Sequence, residues 1–360
     1  MNTKQSAFIT YASDEHLFRC ASAANEKPLP DEKITLAFGA NNGPVLVKKL
    51  GHADAAVRRS ALRAFCDQVK MPEFAVSFLA AGLIKALYDL VKDSDDVVRT
   101  LVSKAIGAAT RAPNGTVKIV EYGVDGLKPL LNDGVKGVRS NTYKSLETIC
   151  KSIKGNAALV ASGYVPLLIQ KSLTEDSEFQ PVCTRILYSL LQCPGGAGLR
   201  AGLDESGVPA SISLLKNDSQ LVQENAAKCL SLLCNSIPPK GVAIKAGAVS
   251  ILIDFLQSIS DRVISAGACA LMVLLTELPA KLEFIEKSGT EKLMELVFHS
   301  DRMVVMHSLK CISALSPHPG ARKEMNIDSI VNRLKKLEYG TDSLMARTAK
   351  KTRELIQWVP

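Results

Sequence analysis

Apolar residues in this chain fall into a helical phrase that is written again about every forty residues. Val208–Leu233 shows it most clearly: an apolar run, a polar break at Lys216–Asn217–Asp218–Ser219, then a second apolar run of helical character. A glycine opens each copy, at Gly43, Gly82, Gly123, Gly163, Gly207, Gly247 and Gly289, with separations of 39, 41, 40, 44, 40 and 42 residues. A unit of this size cannot bury its own apolar face, so the copies must stack and share one continuous core.

A period in the low forties is that of helical armadillo and HEAT solenoids. The predicted fold is therefore all-α, an armadillo-type right-handed superhelical solenoid of about eight repeats over residues 34–360, with almost no strand. The breaks at His52–Ala53–Asp54, Lys92–Asp93–Ser94–Asp95 and Asn132–Asp133–Gly134 carry residues suited to cap the helix that follows. Arg58, Arg99 and Arg139 recur at one helical position, each just after a valine, and are expected to join neighbouring repeats. The fourth break is a longer acidic run, Glu175–Asp176–Ser177–Glu178, with Pro181 in the first turn of the next helix, where it is tolerated. Gln192–Leu203 contains Cys193–Pro194–Gly195–Gly196–Ala197–Gly198 and is expected to be a flexible loop; its glycine spacing fits no nucleotide-binding motif. After Gly320 the pattern decays into two helices, Ile327–Leu337 and Thr341–Ile356, with polar residues taking over, as a terminal cap requires. Residues 1–33 carry no repeat. They are expected to form an N-terminal extension ordered only on a partner, with Phe8, Tyr11, Leu17 and Phe18 as anchors.

Composition narrows the function. Of 360 residues 47% are hydrophobic and only 5% aromatic, so the core rests on aliphatic side chains. No run reaches the 18 apolar residues of a membrane span, and Lys4, Asp14, Glu15 and Arg19 interrupt any signal-peptide core. The nine cysteines include no CxxC pair, which points to reduced, packed thiols and a cytoplasmic setting. His16, His52, His299, His307 and His318 are scattered, with no HExxH, paired-carboxylate or Cys/His constellation. Neither an enzyme nor a metal or other cofactor is expected.

Superimposing the copies reveals a column. Six residues after Val57, Val98, Val138, Val182, Val222, Val263, Val304 and Met345 stand Arg63, Lys104, Lys144, Tyr188, Lys228, Cys269, Lys310 and Lys351. Six of these eight are basic, and the last helix of each armadillo repeat lines the groove, so they are expected to form a basic ladder that binds a partner. Four residues further on come Asp67, Ala108, Thr148, Gln192, Leu232, Val273, Ala314 and Leu355. Nuclear-import adaptors need Trp and Asn in these two columns; neither is present, and a lysine ladder repels cationic signals.

Several stretches carry a narrower likeness. ITLAFG (Ile34–Gly39), ALRAFCD (Ala61–Asp67), ALYDLVKDSDDVVR (Ala86–Arg99), PLLNDGVKGVRSNTYK (Pro129–Lys144) and SEFQ (Ser177–Gln180) resemble the radial spoke armadillo proteins of cilia and flagella. The resemblance implies a non-catalytic subunit of a large hetero-oligomeric axonemal complex, bound to neither nucleic acid nor membrane. Its expected partners are other spoke proteins with acidic extended segments, or the acidic surface of the doublet microtubule, both compatible with a net charge of +8. Two other readings use the same groove: a cytosolic adaptor for acidic peptides, and an assembly chaperone.

Overall fold

The computed structural model describes residues 42–359 except residue 70. The expected anchors Phe8, Tyr11, Leu17 and Phe18, and the stretch Ile34–Gly39, lie outside the described residues. Gly43–Pro360 forms one compact unit. All regular structure among the described residues is helical.

Eight long helices recur: α1 (Ala55–Gln68), α2 (Asp96–Arg111), α3 (Lys136–Ile149), α4 (Gln180–Leu191), α5 (Gln220–Leu233), α6 (Asp261–Leu274), α7 (Arg302–Leu315) and α8 (Ser343–Ile356). Each packs on the next, from α1 through α8, so they form one continuous layer. Ahead of most of them run two shorter helices, such as Ile237–Lys245 and Ala248–Phe255 before α6. The repeating unit is thus the apolar phrase plus a short helix ahead of its opening glycine. The chain is an all-α solenoid, as its period predicts. Its core is continuous: Leu62, Ile106, Leu146, Leu187, Leu230, Leu271 and Leu309 are all buried on successive long helices.

Six of the seven opening glycines, those from Gly82 onward, divide into two kinds. Gly82, Gly123, Gly163 and Gly247 hold φ between 72° and 109°, a left-handed turn that glycine adopts without strain. At the other two turns Ser206 (φ 60°) and Ser288 (φ 53°) take that conformation instead. Gly207 and Gly289 follow them for a different reason, since a Cβ would lie 2.5 Å from the Gly202 carbonyl oxygen at one and 2.6 Å from the Phe284 ring at the other. Counted at the left-handed residue, the turns are 41, 40, 43, 41 and 41 residues apart. One extra stretch, in the fourth linker, accounts for the irregularity.

That linker is not the loop its glycines suggest. Pro194–Gly196 forms a single 3₁₀ turn and Ala197–Asp204 is helical. Gly198 and Gly202 are buried in this helix: a Cβ on Gly198 would overlap the Leu190 carbonyl, and one on Gly202 would lie 2.7 Å from Leu191. The glycines there serve close packing. In the third copy, Val124–Leu127 and Pro129–Asn132 form two 3₁₀ turns where other copies have a helix. Pro129 has no N–H to continue a helix, and Gly126 lies against the Tyr88 ring.

The arginine column joins repeats as expected, and the mechanism is specific. Each guanidinium binds backbone carbonyls of its own break and a carboxylate of the next. Arg58 donates to the carbonyls of His52 (2.8 Å) and Ala53 (2.7 Å) and pairs with Asp93 at 2.9 Å. Arg99 donates to the Asp93 carbonyl (2.8 Å) and pairs with Asp133 at 2.6 Å. Arg139 donates to the Asp133 carbonyl (2.7 Å) and pairs with Glu175 (3.2 Å) and Asp176 (2.7 Å). Neutral groups take over afterwards: Gln223 donates to the Asn217 carbonyl (2.8 Å), and Asn217 to Gln180 (2.9 Å). Capping is direct at Asp54, Asp95, Asp301 and Asp342. At the third break the cap position is Val135, whose amide bonds the Asp133 carboxylate at 2.8 Å.

Candidate partner-binding face

The candidate site is the outward face of the long-helix layer. Positions seven apart lie two turns along one helix, nearly in line. On α2 this gives Val97, Lys104 and Arg111, and on α3 Gly137, Lys144 and then Lys151 just past the helix end; all six are exposed. Small residues let the two helices approach closely. Asn141 donates to the Ser103 hydroxyl at 3.1 Å, and a Cβ on Gly107 would meet Ser145 at 3.2 Å. Helices in such contact run about 8–10 Å apart.

Further along, the structure brings the column residues side by side. The Lys228 ammonium sits over the Tyr188 ring, 5.8 Å from its centroid, and Gln192 donates to the Tyr188 hydroxyl at 2.9 Å. Cys269 lies within electrostatic reach of Lys228 and Lys310; burial pushes its thiol up, so it stays protonated. Lys228 is not an open charge: it pairs at 2.5 Å with Glu224, one turn earlier, whose side chain is nearly buried. That partner was legible as a carboxylate four residues before a lysine, a spacing that places the two on one helical face. Lys310 and Tyr188 are half-buried, whereas Arg63, Lys104, Lys144 and Lys351 are exposed. The ladder is therefore uneven, with its more exposed rungs towards its two ends.

His307 shares this face on α7. Its Nδ1 lies 2.9 Å from the Ser265 carbonyl oxygen and 3.1 Å from the Ser265 hydroxyl, joining α7 to α6. Burial lowers its pKa, and neighbouring Lys310 lowers it further against the opposing Ser265 bond. It is a packing histidine that ties two long helices together. Among the described residues no cluster of His, Cys, Asp or Glu is arranged to hold a metal ion, and no helix is long and apolar enough to cross a membrane.

No protein-family model matches the chain. Radial spoke protein 14 of Chlamydomonas reinhardtii is 26% identical over 261 residues, covering 67% of this chain and 66% of that protein. The match thus spans just under two-thirds of the relative's own length. Among solved structures, the crystal structure of an engineered protein superposes with a TM-score of 0.76 at 25% identity, covering 88% of this chain and 79% of the other. A second engineered protein gives 0.56 at 24% identity, over 68% of this chain and 97% of its own. The first likeness extends over nearly all the described repeats. With its repeating helices and its sequence kinship, the chain is an all-α solenoid related to radial spoke protein 14.

Proposed function

We propose that this protein is a non-catalytic structural subunit of the axonemal radial spoke, holding neighbouring spoke proteins against the open face of its long-helix layer. The observation that carries the reading is the sequence kinship with radial spoke protein 14, which runs across 67% of the chain. The layer supports it, because it offers a long run of packed helices with exposed cations at Lys104, Lys144 and Lys351. An extended partner advances about 3.3 Å per residue, so helices about 10 Å apart match an acidic residue at about every third position. An exposed ion pair contributes about 0–1 kcal/mol, and charges on neighbouring helices are screened over a Debye length of about 8 Å. Reversing any one lysine should therefore weaken binding only slightly. The N-terminal extension, with Phe8, Tyr11, Leu17 and Phe18, supplies a second contact in this proposal.

Fractionation of cilia tests the spoke assignment. The protein should stay with axonemes after detergent extraction and be absent from axonemes that lack spokes. A pool released entirely by detergent would instead support a cytosolic adaptor or an assembly chaperone.

A further inference from the structure

The charge on the candidate face is unequally divided, and the division assigns an acidic part and an apolar part to the partner. α2 carries two exposed cations in line, Lys104 and Arg111, and α3 carries Lys144 with Lys151 just past its C-terminal end. No carboxylate lies within ion-pairing distance of any of the four among the described residues. The acidic residue nearest them in sequence on α3, Glu147, is already engaged by Arg185 of α4 at 2.7 Å. Arg111 also leans across the seam between the helices. Its Nη1 lies 3.6 Å from where a Gly107 Cβ would stand, and that same point is 3.2 Å from the Ser145 hydroxyl, next to Lys144.

The face changes character at α4. The positions in line become Tyr188 on α4, Lys228 on α5 and Cys269 on α6. Lys228 is neutralised by Glu224 and stacked on Tyr188, while Leu232 and Val273 are partly buried against the core beside them. This half offers aromatic and aliphatic surface with little net charge.

We infer that α2 and α3 form a four-cation anchor for an acidic protein segment, and that the same segment continues with apolar residues over α4 to α6. The inference rests on the proposed use of this face and adds the chemistry of the occupant. Two cations in line, about 10 Å apart along the axis at 1.5 Å per residue, suit acidic residues in clusters better than single ones. Charge complementarity selects the acidic end. The aromatic and aliphatic middle selects the apolar end.

The test uses the full chain and two labelled twenty-residue peptides of identical composition. One carries acidic pairs followed by a Leu/Phe-containing half; the other has the same residues scrambled. Fluorescence anisotropy at low and physiological salt should show tighter binding of the ordered peptide. Its affinity should fall about tenfold or more in K104E/R111E/K144E/K151E, as four weak exposed pairs together imply. The control K216E/K281E/K292E, with the same kind of change elsewhere, should bind as the parent does. Y188A should weaken the ordered peptide at both salt concentrations, because that contact is not ionic. Circular dichroism confirms that each variant remains helical. Equal losses in the anchor and control variants, or equal binding of both peptides, would overturn the inference. So would loss of binding to a single-stranded RNA oligonucleotide in the anchor variant when neither peptide binds the parent. Axonemal incorporation is scored separately: a parent that binds the ordered peptide but never enters axonemes contradicts the spoke assignment and leaves this anchor standing.

Discussion

Glu175→Ala should lower stability by about 3–5 kcal/mol, the range for removing one partner of a buried ion pair. Glu175 is 6% exposed in its side chain and receives three partners: the Tyr143 hydroxyl at 2.8 Å, Lys171 at 3.0 Å and Arg139 at 3.2 Å. Its loss leaves Arg139 and Lys171, themselves 12% and 15% exposed, short of a counter-charge. Arg139 retains Asp176 and also lies over the Phe179 ring, 5.4 Å from its centroid, so the seam between third and fourth copies loosens without collapsing. Glu175→Gln preserves the shape and an acceptor for Tyr143, and should cost less. Burial by itself would raise the Glu175 pKa, but hydrogen bonds from Lys171, Tyr143 and the Asp176 amide hold it below its ordinary 4.5. Because the folded pKa is the lower one, this stabilisation is full above about pH 4.5 and drains away as the pH falls through the folded value. Urea titrations of parent and variants at pH 7 and pH 4 check both statements: the gap between parent and Glu175→Ala should narrow at the lower pH.

Leu230→Ala has a comparable expected cost, about 2–5 kcal/mol for a fully buried leucine whose site cannot collapse. Leu230 is 0% exposed near the end of α5, which is packed between α4 and α6. Each helix of the layer packs chiefly on the long helices beside it and the short helices of its own copy, so the damage should be local. Hydrogen exchange should rise first in α4, α5 and α6 and leave α1 and α8 near their parent rates. A uniform rise along the whole chain would mean that the unit opens as one globule rather than as a stack.

Much of this was legible in the sequence, because a repeat displays its period directly. The long helices, the breaks between them and the joining role of Arg58, Arg99 and Arg139 all follow from superimposing copies. The receiving carboxylates Asp93, Asp133 and Glu175 were harder to see, because each lies 34 to 36 residues from its arginine and pairs across repeats. Glycine was the least transparent residue. One sequence column mixed left-handed turns at Gly82 and Gly163 with packing positions at Gly207 and Gly289, since glycine serves both, adopting positive φ without strain at one and leaving no Cβ to clash at the other. The run at Gly195–Gly202 suggested mobility for the same reason, although Gly198 and Gly202 are buried helix contacts. In the basic column the alignment showed the lysines but not their availability. Lys104 stands exposed, whereas Lys228 is occupied by a carboxylate on its own helix.

The most direct test of the central claim is cross-linking of intact axonemes with this chain as bait, read by mass spectrometry with an amine-to-carboxylate reagent. Cross-links should run from Lys104, Lys144 and Lys151, on the open face of the long-helix layer, to acidic segments of spoke subunits, with few from Lys281 and Lys292 on the shorter helices. Cross-links to spoke subunits confined to Lys281 and Lys292, or none to any spoke subunit, would contradict it.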